Sequence, residues 1–127
     1  MKIYTKKGDL GQTDLMNLRV SKEDIHIDLI GLIDEVMANI LMVKNVMRDA
    51  EIVLDLLSIH QVLFMMNYEV AQNKASGYQT KQEDVKFLED RIDAFDAKLE
   101  PLTKFIRLDD NERALWANMA RVVCRRA

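Results

Sequence analysis

Cysteine occurs once in the 127 residues, at Cys124, and proline once, at Pro101. A lone thiol excludes an intrachain disulfide and leaves too few sulfur ligands for a zinc ribbon. One proline and four glycines provide little punctuation, which favours long helices over a many-stranded sheet. Basic excess is missing too: 18 lysines and arginines stand against 21 aspartates and glutamates, a net charge of −3. A general nucleic-acid or anionic-membrane binder would show the opposite balance. The N-terminus, MKIYTKKGDL, is charged where a secretion signal needs an apolar core. By inspection no apolar run approaches the roughly 18–20 residues of a membrane span. These absences predict a cytoplasmic, soluble chain with neither a nucleic-acid nor a membrane partner.

What is present is an ordinary globular balance, 49% hydrophobic and 31% charged. The length suits a single domain, residues 1–127, able to bury roughly two-thirds of its unfolded surface. Ser21 and Asp24 fit a capping box, and behind them Leu29, Ile30, Ile33, Val36, Met37, Ile40 and Leu41 recur at helical spacing. A second helix is predicted from about Glu51 to Ala71, with Leu56, Leu57, Leu63, Phe64 and Val70 on its buried side. It is apolar nearly all round, as helices central to a bundle or buried in an oligomer are. A loop at 73–79 precedes another capping box, Thr80 with Glu83. The third helix carries Val85, Leu88, Ile92, Phe95 and Leu99 in alternating steps of three and four, the seam of left-handed bundle packing, and Pro101 stops it. The fourth runs from about Asn111 to the end, with Leu115, Met119, Val122 and Val123 inward. The expectation is an all-α, up-and-down bundle of four helices with a non-helical N-terminal arm.

Three segments carry candidate chemistry. The arm reads Tyr4-Thr5-Lys6-Lys7-Gly8-Asp9-Leu10-Gly11-Gln12-Thr13, followed by Arg19 and Lys22. Glycines let backbone amides approach an anion and lysines neutralise it, so the arm is either a phosphate cradle or a charged, frayed terminus. At the other end Arg121 and Arg125 are four apart on one helix face. They grip a triphosphate or carboxylate together, or they are solvated cations favoured by the helix dipole. In the first helix Ile27, Gly31, Asp34 and Ala38 form a narrow face that is either closely approached or an exposed edge. A carboxylate on an apolar helix calls for a cation, and the Arg121/Arg125 face supplies one. His26 and His60 lie on different helices without further ligands at metal spacing, so a polar core or interface role is expected of them and no metal site is predicted. Cys124 reads as a small core residue, and Phe105 either caps the core or walls a ligand pocket.

Taken in order, these segments resemble the PduO-type corrinoid adenosyltransferases, ATP:cob(I)alamin enzymes. The arm matches that family's opening motif Tyr-Thr-Lys-Thr-Gly-Asp-x-Gly-x-Thr, with Lys7 in place of its second threonine. Arg19-Val20-Ser21-Lys22-Glu23-Asp24 matches Arg-Val-x-Lys-x-Asp, and Gly31-Leu32-Ile33-Asp34-Glu35 matches Gly-x-x-Asp-Glu. The likeness continues through Asp84-Val85, Leu88-Glu89, Ile92-Asp93 and Leu102-Thr103-Lys104-Phe105-Ile106, and closes on Ala120-Arg121-Val122-Val123-Cys124-Arg125-Arg126-Ala127. Departures fall at Asn17-Leu18, at His26, Asp28 and Ile30, at Asn118, and at Arg107-Leu108-Asp109-Asp110, where the family has a glycine-containing turn. The sequence stops inside the family's Arg-Arg-Ala-Glu-Arg motif, so four of the family's five helices are expected.

The resemblance implies transfer of the 5′-deoxyadenosyl group from ATP to cob(I)alamin, in a homotrimer with sites at subunit interfaces. It implies that Thr5, Lys6, Lys7, Gly8, Asp9, Gly11, Thr13 and Lys22 cradle the ATP phosphates with Mg²⁺, and that Arg125 and Arg126 hold the nucleotide from the fourth helix. Asp34 and Arg121 match the interface ion pair that organises the site. Phe105 matches the phenylalanine that keeps the lower axial ligand off cobalt. The altered 105–110 loop also suits a non-catalytic relative that binds nucleotide or corrinoid as a sensor or carrier. A helical assembly protein with no ligand is the third reading.

Overall fold

The computed structural model describes residues 2–72, 80–107 and 111–127. A hairpin of β1 (Gln12–Leu15) and β2 (Leu18–Ser21) precedes helices α1 (Ile25–Val46), α2 (Ala50–Gln72), α3 (Gln82–Asp96) and α4 (Glu112–Arg126). The four expected helices are all present. The loop expected at 73–79 lies outside the described residues, as do Leu108, Asp109 and Asp110.

The hairpin was not legible in the periodicity. Its strands pair antiparallel, Gln12 opposite Ser21 and Leu15 opposite Leu18, leaving Met16 and Asn17 as the turn. Met16 adopts φ +36°, the left-handed backbone that a two-residue hairpin turn demands. Leu15, at 3% exposure, anchors the hairpin in the interior. Because β2 runs through Ser21, the proposed capping box is displaced. Asp24 is the true N-cap of α1, its Oδ1 accepting from the His26 N–H at 2.9 Å, while Ser21 Oγ accepts from the Glu23 N–H within the turn. At α3 the cap also moves by one residue, to Lys81, whose N–H donates to Asp84 Oδ2 at 2.8 Å.

The central helix is α1, not α2. Ile33, Val36, Met37, Ile40 and Val43 recur at three- and four-residue steps, and all are buried. Val36, Ile40 and Val123 of α4 form the core, with Leu56, Ile59 and Leu63 of α2 packed against them. Helix α2 has no fully buried residue, and its Leu57 and Phe64, expected inside, are exposed. Over 23 residues it is long and apolar enough to cross a membrane by length and composition, which corrects the expectation that no such run exists. One side of it packs on α1, and Glu51, Asp55, His60 and Glu69 interrupt the rest.

The seams expected to be inward on α3 and α4 are largely exposed in the single chain: Val85, Leu88, Ile92, Leu115, Met119 and Val122 all face outward. The stripes are real, but among the described residues no helix buries them. Helix α3 is tied to α2 by Arg91, whose guanidinium meets Asp55 Oδ2 at 2.7 Å and Glu51 Oε1 at 2.9 Å. Beside that tie runs an apolar groove of about 500 Å³, lined by Ile59, Val62, Leu63 and Met66 of α2 and Val85 and Leu88 of α3.

Gly31 sits on the open edge of α1, and a Cβ there would meet nothing within 4 Å. The exposed-edge reading therefore holds within the chain. Gly31→Ala is expected to stabilise the chain by roughly 0.5–1 kcal/mol through helix propensity alone, read as an upward shift in the urea midpoint.

Candidate functional site

Residues 5–11 form a compact loop ahead of β1. The Gly11 N–H donates to the Gly8 carbonyl at 3.2 Å, and the Lys22 N–H donates to the Gly11 carbonyl at 2.9 Å. Thr5 Oγ1 accepts from the Lys7 N–H at 3.4 Å. Gly11 has φ +78°, where a side chain would be strained. At Gly8 the constraint is space: a Cβ would lie 3.1 Å from Lys22 Cε and 3.3 Å from the Gln12 carbonyl oxygen. Glycine is what allows the Lys22 side chain to lie against the loop. The fold thus brings Thr5, Lys6, Lys7, Gly8, Asp9, Gly11 and Lys22 into one basic loop, with Thr13 just beyond it on β1, opposite Val20.

Arg19, a candidate anion contact in the sequence, is committed elsewhere. It lies opposite Asp14 across the hairpin, donates to Asp14 Oδ1 at 2.6 Å, and donates with its second terminal nitrogen to the Lys7 carbonyl. The hydrogen bond from Arg19 holds the Asp14 carboxyl below its ordinary value of 3.8. The His26 backbone N–H, and then the His26 ring, do the same for Asp24. His26 Nδ1 lies 2.8 Å from Asp24 Oδ1, a polar contact at the hairpin–helix junction.

Both carboxyls are more acidic folded than unfolded. Their contribution to stability is present above the unfolded value of 3.8 and is lost as pH falls through the lowered folded value. Acidification through that window is expected to speed amide exchange in 12–28 before the α1 core opens, and Asp14→Asn should remove the hairpin part of the effect.

The second group of residues is on α1, α2 and α4. Asp34 does not meet Arg121 within the chain. Its Oδ1 accepts from Asn67 Nδ2 of α2 at 2.7 Å, and Arg121 donates through Nε and Nη2 to Asn118 Oδ1 at 3.0 and 2.8 Å. Arg126 is ion-paired with Glu35, the neighbour of Asp34, across the α1–α4 contact. Arg125 is exposed in the last turn and has no carboxylate partner among the described residues. Cys124 is exposed, not a core residue: Val123 takes the inward position of that turn. Phe105 stands fully exposed on the 101–107 connection, so it does not cap the core of this chain.

Among the described residues no three His, Cys, Asp or Glu side chains cluster as a metal would require. The chemistry on offer is anion binding: Lys6, Lys7, Lys22 and loop amides at one end, Arg125 at the other. Arg19 was read only as an anion contact and its partner Asp14 was missed, as were the partners Glu35 and Asn67. Asp14 could have been found from Leu15 and Leu18 bracketing a two-residue turn, which puts Asp14 across from Arg19. For Glu35 and Arg126, 91 residues apart, no local signal exists.

A family model for cobalamin adenosyltransferase matches residues 3–127. The chain belongs to that family. It is 34% identical over 132 residues to the corrinoid adenosyltransferase of Bacillus subtilis (strain 168), spanning 100% of this chain and 68% of the relative. To the corrinoid adenosyltransferase of Citrobacter freundii it is 31% identical over 130 residues, spanning 98% and 74%. Among solved structures, a variant PduO-type ATP:corrinoid adenosyltransferase from Lactobacillus reuteri complexed with cobalamin and ATP superposes with a TM-score of 0.85 at 26% identity, covering 98% of this chain and 71% of that one. A second variant of that enzyme, complexed with ATP, gives 0.85 at 26%, covering 98% and 73%. As a cobalamin adenosyltransferase family member the chain has its basic loop and its α4 arginines joined by no hydrogen bond or ion pair among the described residues.

Proposed function

We propose that this protein transfers the 5′-deoxyadenosyl group of ATP to cob(I)alamin, giving adenosylcobalamin and triphosphate. The observation that carries this is the family match from residue 3 to residue 127, with relatives named corrinoid adenosyltransferases aligned over nearly the whole chain. The reaction is a displacement at carbon. The electron pair of cob(I)alamin forms the cobalt–carbon bond, the bond from the ribose 5′ carbon to oxygen breaks, and triphosphate leaves with the electrons of that broken bond. The protein need supply no nucleophile. Its tasks are to align the two substrates and to neutralise the departing charge.

In this reading Thr5, Lys6, Lys7, Gly8, Asp9, Gly11, Thr13 and Lys22 receive the triphosphate, and Arg125 and Arg126 approach it from α4. Mg²⁺ would come with the ATP phosphates, keeping several of its waters, and would supply further neutralisation of the departing charge. Phe105 lies against the corrinoid. Residues 1–127 act as one domain, in the cytoplasm, as a homotrimer in which Asp34 of one copy pairs with Arg121 of another. The outward apolar stripes of α3 and α4 support the trimer, since such surface on a lone chain is costly. Asp34 also supports it: its carboxylate accepts from the neutral Asn67 side chain and has no cationic partner among the described residues.

The test is an anaerobic assay with ATP, Mg²⁺ and chemically reduced cobalamin, followed in the visible spectrum. Formation of adenosylcobalamin is the expected result. ATP binding without turnover would instead assign the chain to sensing or carriage, and no binding of either substrate would leave only assembly.

A further inference from the structure

We propose that Arg19, clamped by Asp14, is a positioning residue that holds the nucleotide loop in its binding shape and does not itself touch the phosphates. The inference rests on the reading of residues 5–11 and Lys22 as the triphosphate cradle.

One planar guanidinium ties three segments together. Arg19 stands on β2, Asp14 faces it on β1, and the Lys7 carbonyl belongs to the loop. The Lys7–Gly8 peptide is trans, so its carbonyl and the Gly8 N–H point in opposite directions. Drawing the carbonyl to Arg19 therefore turns the Gly8 N–H away from the guanidinium, where it is free of competition from that strong donor. The same loop contains Lys6 at φ +59°, a backbone conformation unfavourable for a residue with a side chain. A loop with that strain needs an outside tie to stay in one shape, and Arg19 is the tie. Charge supports this. Asp14 at 2.6 Å compensates Arg19, leaving Lys6, Lys7 and Lys22 to attract the anion. To grip a phosphate Arg19 would have to release both Asp14 and the Lys7 carbonyl, and the loop would lose its anchor.

The two roles predict opposite signs for one substitution. If Arg19 contacted phosphate, Asp14→Asn would free it and remove a negative charge, and ATP would bind more tightly. As a positioning residue its clamp is weakened, and ATP binding should fall by roughly threefold to tenfold. Arg19→Ala should weaken ATP binding on the order of tenfold, and Arg19→Lys should not restore it, because one ammonium lacks the planar fork that holds two acceptors. The KM for corrinoid should not move.

The experiment is isothermal titration of the full chain with MgATP, alongside KM measurements for both substrates and hydrogen exchange at residues 7–11, in Asp14→Asn, Arg19→Lys, Arg19→Ala and Lys22→Ala. Helical circular dichroism confirms that each variant keeps its bundle. Weaker ATP binding in Asp14→Asn with faster exchange in the loop supports the proposal. Tighter or unchanged ATP binding in Asp14→Asn, or rescue by Arg19→Lys, overturns it. Unchanged ATP affinity in Lys22→Ala overturns the cradle reading instead.

Discussion

Arg125→Ala is expected to lower kcat/KM for ATP by roughly two orders of magnitude. Arg125 and Arg126 are adjacent in the last turn of α4, yet they differ in their partners. Arg126 is engaged by Glu35, whereas Arg125 has no carboxylate partner among the described residues and keeps its whole donor fork for a ligand. A guanidinium on polyphosphate makes charge-assisted, paired hydrogen bonds, and it lies at the helix end where cations are already favoured. Negative charge grows on triphosphate as the carbon–oxygen bond breaks, so the contact strengthens toward the transition state. The loss should thus fall on kcat as well as on KM, measured at saturating cob(I)alamin under anaerobic conditions. Arg126→Ala should cost less in turnover and should loosen the α1–α4 contact, visible as faster exchange at the end of α4.

Ile40→Ala is expected to destabilise the chain by about 2–5 kcal/mol, the usual cost of emptying a large aliphatic site in a core. Ile40 is only 7% exposed and packs with Val36 and Val123 where α1 meets α4, with α2 closing the other side. The hole would open where three helices share a core. Against a total stability of ordinarily about 5–15 kcal/mol, this is enough to leave part of the population unfolded near physiological temperature. Urea or thermal unfolding followed by circular dichroism measures it. Leu115→Ala makes the informative contrast. Leu115 is 49% exposed in the single chain, so its truncation should barely change unfolding of a monomer and should weaken self-association, read by light scattering.

Much of the fold was legible because helix formation leaves a local, periodic trace. Of the α1 stripe from Leu29 to Leu41, Ile33, Val36, Met37 and Ile40 are buried, Leu29 and Ile30 are half-buried, and Leu41 at its end is exposed. The stripe through Val85, Leu88 and Ile92 was just as regular, yet these side chains are exposed, Ile92 at 64%. Periodicity reports that a face is apolar and says nothing of what covers it. The hairpin was missed for a different reason. Its strands are four residues each, too short for alternation to stand out, and its turn, Met16-Asn17, lacks the glycine that usually announces one.

The candidate site divides along the same line. The basic loop was readable because its residues are consecutive and a positive φ favours glycine at Gly11 for a local reason, while the close approach of Lys22 to Gly8 appears only in the fold. By itself the sequence determined the helix count, the inward face of α1, the basic and glycine-containing character of the arm and, through the order of its motifs, the family. Only the tertiary structure decided which charge meets which partner. It gave Asn67 to Asp34, Glu35 to Arg126, and Asp14 with the Lys7 carbonyl to Arg19. Periodicity and capping follow from neighbours within a few residues, whereas a hydrogen bond or ion pair needs its two groups within about 3 Å. For residues tens of positions apart that condition is met only after helix packing has chosen which faces touch.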